Sequence, residues 1–193
     1  MADPAYIVDG VFTDGEAWVG IATTTLASDT AIVTFTSTDD GQVGDFSQYM
    51  DLIVVAYART SQATVTGYMS VNFNNSTGNT RWVQWFYGDG SSVAGSANAG
   101  STSTVLGVAN GASSGANEFS ASVFNMYDIN SGKYKSMASQ SAADSNGDGM
   151  VLMNTAVWKS QAPITEIDIF VSGNNFVTGS MFSLFGVLPR MVA

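Results

Sequence analysis

The chain has 193 residues with no histidine and no cysteine, and 6 Lys+Arg against 16 Asp+Glu give it a net charge of -10. The usual serine and cysteine triads need an imidazole base, and zinc and haem sites draw mainly on thiolate and imidazole, so those mechanisms are excluded in their ordinary form. Its six basic residues, Arg59, Arg81, Lys133, Lys135, Lys159 and Arg190, are scattered and form no patch able to neutralise several phosphates, so nucleic acid is not an expected partner.

The first ten residues, MADPAYIVDG, carry neither a basic n-region nor an apolar h-region, and no run of 18 apolar residues occurs, so synthesis in the cytoplasm without membrane insertion is expected. Residues 1–45 form an acidic lead-in with its own strand pair, 17–26 and 30–37, which is either an arm or the first strands of the main domain. The next strand, 51–59, contains LIVVA at 52–56 and is apolar on both faces, as in a central strand covered on both sides or lying at a subunit contact. In 66–74 the alternation is clean, with Met69, Val71 and Phe73 pointing one way and Tyr68, Ser70 and Asn72 the other. The strand at 80–87 carries RWVQWFY, in which Trp82 and Phe86 oppose Val83, Trp85 and Tyr87.

Two stretches of small residues follow, GDGSSVAGSANAGST at 88–102 and NGASSGAN at 110–117, and both read as surface loops at the ends of a sandwich. Between and after them come strands at 103–108, 118–127, 133–139, 150–158, 164–171 and 180–188. Helix signals are scarce throughout. With 45% hydrophobic and 11% aromatic residues, these segments can fill a real core and build one all-β domain of two packed antiparallel sheets over 46–193. Charged residues make up 11%, against roughly 25% in an average soluble protein. Ser, Thr, Asn and Gly then supply most of the polar surface, which suits a protein packed in an assembly because hydroxyls and amides are buried at less cost than charges.

Four groups of residues invite a chemical reading. DSNGDG at 144–149 matches the start of an EF-hand loop, with Asp144, Asn146 and Asp148 as the candidate calcium ligands. The position of the bidentate Glu is Thr155, and a strand pattern follows, so a turn rich in Asx and Gly is the favoured reading and no cofactor is expected. Glu166 and Asp168 lie on one strand face about 6.6 Å apart, near the separation of inverting glycosidase carboxylates. An exposed alternating strand has the same spacing, so no catalytic residues are assigned and no enzymatic activity is expected. The aromatic run at 81–87 and Trp158 read either as platforms for sugar rings or as packing, and the apolar character of both strand faces favours packing. GVANGASSG at 107–115 lacks the Lys and the helix start of a phosphate loop.

The order of segments from Tyr49 onward resembles a β-sandwich module of tailed-bacteriophage virion proteins, found in tail fibres, head fibres and capsid decoration proteins. The segments are YMDLIVVAYAR at 49–59, MSVNFNN at 69–75, WFYGDGS at 85–91, ANEF at 116–119, INSGKYK at 129–135, AVWK at 156–159, ITEIDI at 164–169 and NFVTGSMFSLFG at 175–186. The pattern departs at Asn74-Asn75, where such modules often carry Gly-Asp after Phe-Asn. Its closing FSLFG alternates and then stops at Gly186, which can turn, as expected of the last strand.

This resemblance implies a jelly-roll-like fold, a homotrimer and no enzymatic activity. A tail fibre needs an attachment region and a shaft, for which 1–45 is too short, so the expectation is a capsid cement or decoration protein. It would sit on the outer capsid surface of the virion, bridging subunits of the major capsid protein. The other reading is a fibre tip that binds a host-surface glycan through the loops at 88–102 and 110–117.

Overall fold

The computed structural model describes residues 18–144 and 149–188, together with the strand backbone at 7–8 and 11–12. Among these residues the regular structure is all strand apart from one 3-10 turn at Phe46–Gln48. A two-stranded ribbon pairs β1 (Ile7–Val8) with β2 (Val11–Phe12). Two further sheets are built from β3 (Trp18–Thr25), β4 (Ile32–Thr36), β5 (Asp51–Ala58), β6 (Thr66–Phe73), β7 (Arg81–Gly88), β8 (Val93–Ser101), β9 (Thr104–Asn110), β10 (Ser120–Tyr127), β11 (Lys135–Asp144), β12 (Gly149–Trp158), β13 (Glu166–Phe170) and β14 (Met181–Val187). The large sheet has the order β3-β14-β5-β10-β11-β12-β7-β8 and the small one β4-β13-β6-β9. Every pairing in them is antiparallel, and the two sheets pack as a sandwich.

Alternation explains which side of each strand goes inside. Met69, Val71 and Phe73 are fully buried and face Phe124, Trp158 and Phe182 from the large sheet, with Phe73 5.4 Å from the Trp158 ring and 6.4 Å from Phe124. Strand β5 sits centrally between β14 and β10, and Leu52, Val54, Ala56 and Ala58 all point into this core. Residues 1–45 supply a strand to each sheet, since β3 pairs with β14 and β4 with β13.

The loop expected at 88–102 is instead a strand. Residues 93–99 pair in register with 82–88, leaving only a short turn at 89–92. Asp89 closes that turn: its carboxylate accepts hydrogen bonds from the Ser91 and Ser92 backbone N–H groups at 3.0 and 2.7 Å and from both serine hydroxyls. Those four donors hold its pKa well below the ordinary 3.8. A carboxylate whose folded pKa is depressed contributes stability that is complete above its unfolded pKa and lost as pH falls toward the folded one. Amide protection across Val93–Ser101 is therefore expected to drop below about pH 3, and Asp89→Asn should abolish that acid step; hydrogen exchange followed by NMR measures it.

Two glycines mark close approaches. Gly186 does not turn the chain but lies inside β14, where a Cβ would collide with the Tyr49 ring packed over it; the Tyr49 hydroxyl donates to the Val43 carbonyl at 2.8 Å. Gly107 lets β9 settle onto the inner face of the large sheet, because a Cβ there would meet Ser122 and Ser141. These serines belong to a buried polar seam. The Ser122 and Ser141 hydroxyls are 2.7 Å apart, the Ser141 hydroxyl accepts from the Val108 N–H at 2.9 Å, and the Ser120 hydroxyl donates to the Ala58 carbonyl at 3.0 Å. Such a seam ties the sheets together only if its geometry is kept. Gly107→Ala is expected to lower stability by about 1–3 kcal/mol in denaturant titration.

Candidate functional site: the open face of the large sheet

The small sheet covers only part of the large one, with β9 packing against β10, β11 and β12. The opposite face of the large sheet has no partner among the described residues. Register places its side chains in rows. One row runs Phe86, Met153, Gln140, Val123, Val55, Ser183 from β7 to β14, and the next runs Val93, Gly88, Val151, Ala142, Ala121, Tyr57 from β8 to β5. A third joins Trp82, Val157, Ser136 and Tyr127. These rows contain no Asp, Glu, Lys or Arg.

The exposures are large for an apolar set: Trp82 53%, Phe86 62%, Val93 88%, Val151 61% and Met153 57%, with Tyr57, Val123 and Tyr127 also open. Together they leave on the order of 800 Å² of apolar surface in water, against roughly 300–600 Å² for the largest patch of an ordinary monomer. The face is also shaped. Ala121 and Ala142 form the floor of a groove of about 910 Å³, banked by Tyr57 and Val123 on one side and by Phe86, Val93 and Val151 on the other. A second hollow of about 600 Å³ lies between Trp82 and Tyr127, over Ala138 and Thr155. The Lys159 ammonium sits 4.8 Å from the centre of the Trp82 ring, a cation–π contact at the margin of the face.

The aromatic residues thus divide between two roles. Trp158 is 2% exposed and belongs to the core, Trp85 packs against the core edge, and Trp82 and Phe86 stand on the open face.

Two of the basic residues do not carry surface charge. Arg81 and Lys135 are fully buried and flank Trp158 in one cross-strand row. Arg81 donates to the carbonyls of Thr102 at 2.5 Å and Ser76 at 3.4 Å, and its guanidinium lies 5.9 Å from the Phe73 ring centre and 6.0 Å from that of Trp158. Desolvation pushes its pKa down to about 10. Lys135 donates to the carbonyls of Ser131 and Lys133, each at 2.6 Å, and desolvation lowers its pKa too, against an opposing pull from Asp128. A third cation, Arg59, clamps the loop after β9 through the Ser114 hydroxyl and the Gly115 carbonyl, both at 2.7 Å. Nothing in residue spacing announces these roles, which depend on strands paired far apart in the chain.

The other candidates lie elsewhere. Glu166 and Asp168 sit on the outer face of the small sheet, where Glu166 accepts from the Asn75 amide at 2.5 Å and Asp168 from the Thr34 hydroxyl at 2.6 Å. Asn74 and Asn75 both adopt left-handed backbone, φ 51° and 52°, which Asn tolerates better than most residues. Through its amide oxygen Asn74 also accepts from the Thr165 N–H at 2.8 Å, so the pair fixes the turn after β6 to the start of β13. Asp144 ends β11, opposite Gly149 in β12. The hairpin tip between them, with Asn146 and Asp148, lies outside the described residues.

Fold and surface together define an antiparallel β-sandwich with one sheet face left open. The chain matches no protein-family model, no curated protein and no solved structure.

Proposed function

We propose that this chain is a structural protein that works by contact, and that it serves as a trimeric decoration protein on the outer surface of a bacteriophage capsid. The observation that carries the reading is the open face of the large sheet. Its roughly 800 Å² of exposed apolar surface is close to what one partner buries in a standard protein interface. Depletion of charge at the centre of a patch is the compositional mark of such interfaces. A chain of net charge -10 keeps charges out of the central rows of this face, with Asp51 and Asp144 only at the strand ends, which lowers the electrostatic penalty for covering it.

The jelly-roll part of the reading is supported by strand order. Half of the large sheet, β3-β14-β5-β10, and the whole small sheet, β4-β13-β6-β9, give two four-stranded layers in the order expected for an eight-stranded jelly roll. The hairpins β7–β8 and β11–β12 widen the first of these sheets by four strands, and the open grooves lie largely on that extension. On a shell, each copy would bridge neighbouring subunits of the major capsid protein, and three linked copies would dissociate far more slowly than one. Light scattering of the purified chain at micromolar concentration should give a trimer mass, and particles lacking the protein should lose heat resistance. A clean monomer, or particles equally robust without it, would count against the proposal.

One feature favours a second reading, a tip that binds host-surface glycan. The hollow between Trp82 and Tyr127 sets aromatic rings beside Gln84 and Thr155, the pairing of ring face and amide that a sugar uses. Glycan-array binding lost on Trp82→Ala would favour it over the decoration role.

A further inference from the structure

The edge of the large sheet next to the open face is unusual in a different way. Strand β8 reads VAGSANAGS, with no charge, no proline and no side chain larger than valine. Residues 93–99 are exposed on both faces, since β8 overhangs the small sheet, and among the described residues no strand pairs with its outer side. Proteins ordinarily blunt such an edge with Lys, Pro, an inward charge or a bulge. Here the only irregularity is at Gly100, φ 95°, beyond the regular stretch, which leaves an edge about 23 Å long.

We propose that this edge pairs with the β8 strand of a second copy, antiparallel across a twofold axis at Ser96. The sizes are self-complementary about that residue. Val93 would oppose Ala99, Ala94 would oppose Asn98, and Gly95 would oppose Ala97, so each larger side chain meets Ala or Gly, while the two Ser96 hydroxyls face each other. Local charge does not oppose this contact. Two molecules of net charge -10 repel, and the approach that brings them together with least opposition is along a strand carrying no ionisable side chain. Pairing there would also join two open faces into one surface, because Val93, Gly95, Ala97 and Ala99 lie on the same side as Trp82 and Phe86. This twofold contact goes beyond the decoration reading, does not depend on a shell, and would join trimers in pairs only at concentrations above the micromolar range in which the trimer mass is read.

The absence of cysteine makes the test clean. Ser96→Cys under mild oxidation should give a covalent dimer at least 10-fold faster than Ala22→Cys, an equally exposed thiol on the opposite edge strand β3. Ser96→Lys, which sets two ammonium groups against each other, should weaken self-association at least 10-fold in sedimentation equilibrium with the melting temperature unchanged. A Ser96→Cys chain that forms no disulfide-linked dimer, or that cross-links only when mixed with Ala22→Cys, would overturn the pairing. In the first case a trimer that still binds capsids leaves the decoration reading standing, so the two fail separately.

Discussion

Replacing Arg81 with alanine is expected to destabilise the fold by about 2–5 kcal/mol, the range for opening a cavity in the core and leaving buried carbonyls without their donor. Three costs combine. The carbonyls of Thr102, Ser76 and Gly78 lose their donor while staying at the sandwich end, and the stem leaves a cavity between Phe73 and Trp158. The turn at 74–79 then loses its tie to the start of β9. Arg81→Met separates these terms, since it keeps most of the packing and removes only the donors, and it should cost less than the alanine variant in the same urea titration. A smaller loss for alanine than for methionine would show that the carbonyls find other donors and that Arg81 is merely filler.

Placing two carboxylates on the open face should have the opposite profile. In the free chain Phe86 and Val151 point into solvent, so Phe86→Glu with Val151→Glu leaves the core untouched and should shift stability by no more than about 0.5 kcal/mol per site. Once a partner covers the face, each carboxylate is buried without a counter-charge, which costs about 3–5 kcal/mol. Affinity for the partner is therefore expected to fall at least about 100-fold, read by sedimentation for self-association and by co-pelleting for shells. Unchanged binding in a folded double variant would remove the face from the contact surface.

Much of the architecture is legible in the residues because β-branched and aromatic side chains alternate where a strand has one wet and one dry side. Met69, Val71 and Phe73 announce their face, and the doubly apolar LIVVA segment announces a central strand. Strand β8 escapes that logic. Its Gly, Ala, Ser and Asn residues carry no strand preference, and its conformation is imposed by pairing with β7, a long-range effect absent from local pattern. The run RWVQWFY is informative about both faces, but whether the outward one is core or interface depends on how far the small sheet reaches. Burial of Arg81 and Lys135 is hidden for the same reason: a cation reads as surface until cross-strand neighbours place it beside Trp158. The open groove rests on Ala121 and Ala142, unremarkable in sequence and decisive only because larger side chains flank them in register.

The proposed decoration role is tested most directly by cryo-electron microscopy of a phage particle that carries this chain. The contact role predicts density for this chain in many copies over the outer capsid lattice, with Trp82, Phe86 and Met153 turned toward a neighbouring subunit. Few copies at the tail end, or a lattice-bound chain whose large sheet faces open solvent, would contradict it.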